Sequence, residues 1–193
     1  MNVLTIDVDY AYSPSISAYD DFVVGSKITI EKQKEILRSK KCEKPTLNEQ
    51  KLLQIADILD KFKEDTKIVV VQHHHEIIAY LDMHNDLYID NIDHHHDIYY
   101  PGWHDLELLD EGNWVYHVSK NAKLKRYTWF RNVDSEPFNS TIKLNFDFIQ
   151  RDDLRIDCIS KPDIIVICAS PHWTLDTEGA VINQLMRGTY DDT

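Results

Sequence analysis

The chain is poor in cysteine, poor in glycine and short of positive charge, and each scarcity excludes something. Its three cysteines, Cys42, Cys158 and Cys168, are odd in number and show no CxxC spacing. That argues against a disulfide framework and a zinc ribbon, and for a reduced, cytoplasmic chain. Five glycines leave little room for a nucleotide motif, and no Gly-rich phosphate loop is present. No Gly-x-Ser-x-Gly elbow occurs, so a serine hydrolase is not expected. No apolar run reaches the roughly 18 residues of a membrane span. Met1 to Asp7 has no basic region and reaches acid too soon for a signal peptide. Lys+Arg total 21 against 33 Asp+Glu, a net charge of -12. This balance speaks against nucleic acid and anionic membrane as partners. It suits a cationic partner or a bound metal.

The 193 residues, 42% hydrophobic and 28% charged, are enough for one full-sized domain, and 1–193 is expected to be that domain. Short apolar, β-branched runs mark strands at 3–8, 67–72, 87–92, 125–130 and 164–168. Those at 67–72 and 164–168 are continuously apolar, as in strands buried on both faces of a parallel sheet. Helices are expected at 31–39, 76–81, 112–120 and 176–186. Thr46 with Glu49 reads as a capping box for a further helix, in which Leu47, Leu52, Ile55, Ile58, Leu59 and Phe62 recur at helical spacing. Alternating strands and helices predict an α/β fold, a three-layer α/β/α sandwich around a mainly parallel sheet. In such sheets ligands bind outside the carboxyl ends of the strands.

The strand ends carry the chemistry. Asp93-His94-His95-His96-Asp97 reads as Asp-x-His-x-Asp, two carboxylates and an imidazole at two-residue spacing. Residues four apart lie roughly 13 Å apart in an extended chain, so all three side chains reach one small site only if the chain curls. Such a crowd of Asp and His is costly without a cation. Three other strands end in Asp7-Val8-Asp9, in His73-His74-His75-Glu76, and in Ser170, His172 and Trp173. If the strands are parallel neighbours, the first three clusters converge. Carboxylates with imidazoles and no thiolate form a ligand set for two divalent ions. Two ions about 3.5–4 Å apart share a water and lower its pKa. Tyr10, Tyr12 and Tyr19 read as packing residues, and Cys168 as a core residue.

These motifs resemble those of the arginase (ureohydrolase) superfamily. Asp93 to Asp97 resembles its Asp-x-His-x-Asp motif, Ile6-Asp7-Val8-Asp9 its Asp-Val-Asp motif, and His75-Glu76 its strand-end His that opens a helix. The Asp-Val-Asp motif comes first here, which implies an arginase-like fold in circularly permuted order. Gly112-Asn113-Trp114 and Ser170-Pro171-His172-Trp173-Thr174 are similar to the peptide arginase branch, whose members convert arginine to ornithine in ribosomally made peptides. The resemblance implies metal ligands Asp7, Asp9, His75, Asp93, His95 and Asp97. His75 is preferred over His73 and His74 for its place directly before the helix. It implies two Mn2+ ions, with Zn2+, Fe2+ or Ni2+ less suited. It also implies hydrolysis of arginine side chains in a peptide, with urea released. His104 and Glu76 are the catalytic candidates, with His94 and His96 behind them. Glu107, Glu111 and Asn113 are candidates for substrate contact. A small-molecule ureohydrolase and a non-catalytic metal- or peptide-binding module are the alternatives.

Overall fold

Asn2–Asp7, rich in Val, Leu, Ile and Thr, forms strand β1. It lies inside a six-stranded sheet with β4 (Lys67–Val71), β5 (Asp86–Ile92), β6 (Lys123–Phe130), β7 (Asp147–Arg151) and β8 (Ile164–Cys168). The order is β4-β8-β1-β5-β6-β7, and every pairing is parallel. Two short strands, β2 (Tyr12–Ser13) and β3 (Thr46–Leu47), form a separate antiparallel pair. The helices are α1 (Glu49–Phe62), α2 (Trp114–Asn121), α3 (Pro171–Thr174) and α4 (Ala180–Arg187). The computed structural model describes residues 1–13, 29, 31–32, 34–35, 45–100, 106–133, 135–139, 142–176 and 178–187.

Alternation along the central strands builds two cores. Leu4, Ile6, Ile165 and Ile167 point to one face, against Leu52, Ile55, Ile58, Leu59 and Phe62 of α1 and Val181, Ile182 and Leu185 of α4. Val3, Ile164 and Val166 point to the other, against Ile77, Trp114, Val115 and Val118. The result is the expected three-layer α/β sandwich. No helix among the described residues is long and apolar enough to cross a membrane.

Several local expectations shift. The 67–72 run forms an edge strand rather than an inner one, and Val70 is 41% exposed. It pairs with β8 alone. Thr46 does not cap α1, because it pairs with Ser13 in β3. Asn48 takes that role, its side-chain oxygen accepting from the backbone N of Lys51 at 3.2 Å. α4 begins at Ala180, because Asp176 instead accepts from the backbone N of Val181 and Glu178 in the preceding turn. The 147–151 strand, β7, was not expected; it is an edge strand with little apolar alternation. The expected helix at 31–39 falls largely outside the described residues.

Register decides where the site forms. Asp7 pairs with Cys168, Cys168 with Val71, and Ile6 with Ile92. The residues that follow Asp7, Val71, Ile92 and Cys168 therefore leave the sheet together at its carboxyl edge.

Candidate metal centre

Asp7 ends β1, and the chain then tightens into a 3-10 turn over Val8–Ala11. The turn is closed by the backbone N of Asp9 donating to Asp7 Oδ1 at 3.0 Å. This bond folds Asp9 back beside Asp7. Ser170 donates to Asp7 Oδ2 from across the sheet. Asp9 Oδ1 accepts from the backbone N of His94 at 3.3 Å, and its Oδ2 lies 3.1 Å from His95 Nδ1.

Asp93 is placed by its neighbours on both sides. Asn91 Nδ2 donates to its Oδ2 at 3.1 Å, and the backbone N of His95 donates to its Oδ1 at 2.8 Å. Trp129 Nε1 holds its backbone carbonyl at 3.0 Å. The curl the sequence requires is supplied by Asp97, whose φ is +51°. Asp tolerates this left-handed region better than most residues. The turn is locked by Val115 N donating to Asp97 O at 3.1 Å and Trp114 Nε1 to Asp97 Oδ2 at 2.7 Å. Ser170 also sits at positive φ, +42°. Two strained non-glycine residues thus aim side chains at one centre, a pattern that clusters at functional sites.

The imidazole of this group is His74. Its Nδ1 lies 2.8 Å from Asp97 Oδ2, 3.0 Å from Asp93 Oδ2 and 3.4 Å from Asp7 Oδ2. Its Nε2 is 2.6 Å from the Thr5 hydroxyl. Donation from Nε2–H to Thr5 would leave the Nδ1 lone pair facing three carboxylates, which is tolerable only around a proton or a cation. Nδ1 has no aligned hydrogen bond. The expectation of His75 is therefore corrected to His74. The 3-10 segment His74–Tyr80 starts two residues earlier than expected, which sets His74 over Thr5. His75 stacks on His73 instead, ring centroids 5.8 Å apart.

The four carboxylates are each at most 4% exposed. Among the described residues, no Lys or Arg pairs with any of them. Burial, then the charges of Asp9 and Asp93, push the Asp7 carboxyl well above its usual range. Burial, then Asp97, raises Asp93. Burial opposes charge on His74, but Asp93 and Asp97 outweigh it and hold its pKa well above the ordinary imidazole value. The cluster is thus short of positive charge, and a cation would relieve it. Asp7, His74 and Asp93 could hold a metal ion: their ligand atoms lie within 4.8 Å of one another. Asp9, Asp93 and His95 meet the same condition.

The other residues of the run have structural work. His94 turns away to Asn132 Nδ2, 3.2 Å from its Nδ1. Burial, aided by His95, lowers its pKa to about 3, so it stays neutral. His96 stacks on Tyr100 at 4.1 Å, and its Nδ1 accepts from Ile98 N at 3.1 Å. Glu76 does not face the cluster. Its Oε2 accepts from the backbone N of Gln72 at 2.9 Å and of His73 at 3.3 Å, capping the 3-10 segment. His104 lies outside the described residues. Glu107 is exposed. Asn113 braces the loop before α2, its Nδ2 donating to Leu108 O at 2.7 Å. Glu111 lies 2.6 Å from His73. Sequence reasoning missed Thr5, Asn91 and the indole of Trp114 as supports. A polar residue inside an apolar strand was the available signal for the first two. Comparison with family models, with curated proteins and with solved structures gives no match.

Proposed function

We propose that this protein is a metal-dependent hydrolase of the arginase type. It converts arginine side chains of a peptide to ornithine and releases urea. The observation that carries the reading is the position of Asp93, which belongs to both ligand triads. One of its oxygens faces His74 and the other lies toward His95, 4.0 Å from its Nδ1. A carboxylate so shared suits two neighbouring cations, with Asp7, His74 and Asp97 on one side and Asp9 and His95 on the other. The oxygen-rich, thiolate-free set suits Mn2+. When bound, such ions acidify a water and supply positive charge where negative charge develops.

The chain's own residues do the rest. Thr5 and Trp114 fix the orientation of His74 and Asp97. The Trp173 ring lies 4.8 Å from that of His95 and the Tyr100 ring 6.2 Å from it. These aromatic walls suit a planar guanidinium. The acidic chain, net -12, would attract a basic peptide and mainly raise its on-rate. Water adds to the guanidinium carbon, the bond to the side-chain nitrogen breaks, and that nitrogen leaves as the ornithine amine. The test is a urea assay on Mn2+-loaded protein with an arginine-containing peptide and, separately, free arginine or agmatine. The peptide should lose the mass of one urea minus one water per arginine. Asp7→Asn and Asp93→Asn should abolish it. Turnover of the small molecules alone would redirect the substrate, and urea release at wild-type rate by either variant would refute the mechanism.

A further inference from the structure

We propose that His73, Glu111 and His172 form a separate binding site for one borderline divalent cation of the Zn2+ type. The three residues come from unconnected stretches: the chain just past β4, the loop before α2, and α3. Their ligand atoms nevertheless lie within 4.8 Å of one another. None of them belongs to the two aspartate-rich triads.

The contacts suit a shared cation. His73 Nδ1 and Glu111 Oε1 are 2.6 Å apart, yet neither atom has an aligned hydrogen bond, and both are buried. A cation between the two atoms would satisfy both. The same signature marks His74 among its carboxylates. The His172 ring stacks on that of His73 at 5.4 Å and 28°. A second carboxylate is missing from the group, so its donors differ from those of the aspartate cluster. Two imidazoles and one carboxylate form a donor set that Zn2+ takes in four-coordinate sites with one position open to water or ligand. The aspartate cluster, by contrast, offers mainly hard oxygens. The two sites should therefore choose different metals.

Cobalt(II) substitution tests this on the full chain, stripped with EDTA and titrated with Co2+. Four-coordinate Co2+ absorbs visible light far more strongly than six-coordinate Co2+. The wild type should develop a strong visible band worth one ion per chain. Asp93→Asn should keep that band while losing the weakly absorbing ions. Glu111→Gln and His172→Asn should lose the band and one ion each while keeping the rest. Circular dichroism establishes that each variant folds. Where one does not, protection of wild-type His172 from diethyl pyrocarbonate by one equivalent of Zn2+ gives the same answer. A wild type without the band, a band that survives in both Glu111→Gln and His172→Asn, or an unprotected His172 would overturn the proposal. Loss of the band in Asp93→Asn alone would also overturn it, since the ion would then belong to the aspartate cluster.

Discussion

Replacing Asp93 by Asn should change the protein in opposite ways with and without metal. In EDTA the variant sheds one of four buried carboxylates that no Lys or Arg pairs with among the described residues. That relief offsets the loss of an acceptor for Asn91 Nδ2, a hydrogen bond worth about 1 kcal/mol net. The two effects nearly cancel, so the metal-free proteins should melt within about 4 °C of each other. With Mn2+ at a hundred times its dissociation constant, each occupied site adds about 2.7 kcal/mol to the wild type. Two sites give about 5 kcal/mol, or roughly 10–20 °C at this chain length. Asp93 serves both triads, so the variant should lose the response of both. Scanning calorimetry with EDTA and with MnCl2 reads both numbers. A wild type that melts at one temperature in both buffers refutes the reasoning. So does a variant that keeps the full shift.

Three further outcomes are expected. Thr5→Val removes the oxygen facing His74 Nε2 and should weaken Mn2+ binding by about 10–100-fold in titration calorimetry; unchanged affinity would remove Thr5 from the account. Glu76→Gln should cost about 0.5–1.5 kcal/mol in urea denaturation and leave turnover within about twofold. A fall of about a hundredfold would restore Glu76 as a proton-transfer group. The third concerns pH. Asp7, Asp93 and His74 all titrate above their ordinary values of 3.8 and 6.5 in the metal-free fold. Their contribution to metal-free stability is present in full below those values and is lost as pH rises through the folded ones. Mn2+ displaces these protons, so the melting shift it produces should grow between about pH 5 and 8. A shift that is flat or shrinks over that range would contradict the assigned ligands.

Much of the architecture was legible because burial leaves a periodic trace. Ile164–Cys168 is apolar throughout and lies inside the sheet with both faces covered. The 67–72 run looks the same in composition but lies at an edge, because a strand's place in a sheet depends on long-range pairing. The aspartates of the site were legible as motifs at strand ends. The choice among His73, His74 and His75 was not. It turns on where a 3-10 segment begins, and on a hydroxyl contributed by Thr5, 69 residues away in sequence. The capping role of Glu76 was hidden for a related reason. Its partners are backbone N–H groups, which leave no mark in residue identity. The His73–Glu111 contact joins segments that no local pattern connects.

The claim that Asp93 joins two cation positions into one centre is tested most directly by electron paramagnetic resonance of the Mn2+-loaded protein. If the Asp93 carboxylate holds two Mn2+ ions at once, the loaded protein should give the multiline spectrum of an exchange-coupled pair, and Asp93→Asn should abolish it. A wild-type spectrum showing only the six lines of isolated Mn2+ at full loading would contradict the account.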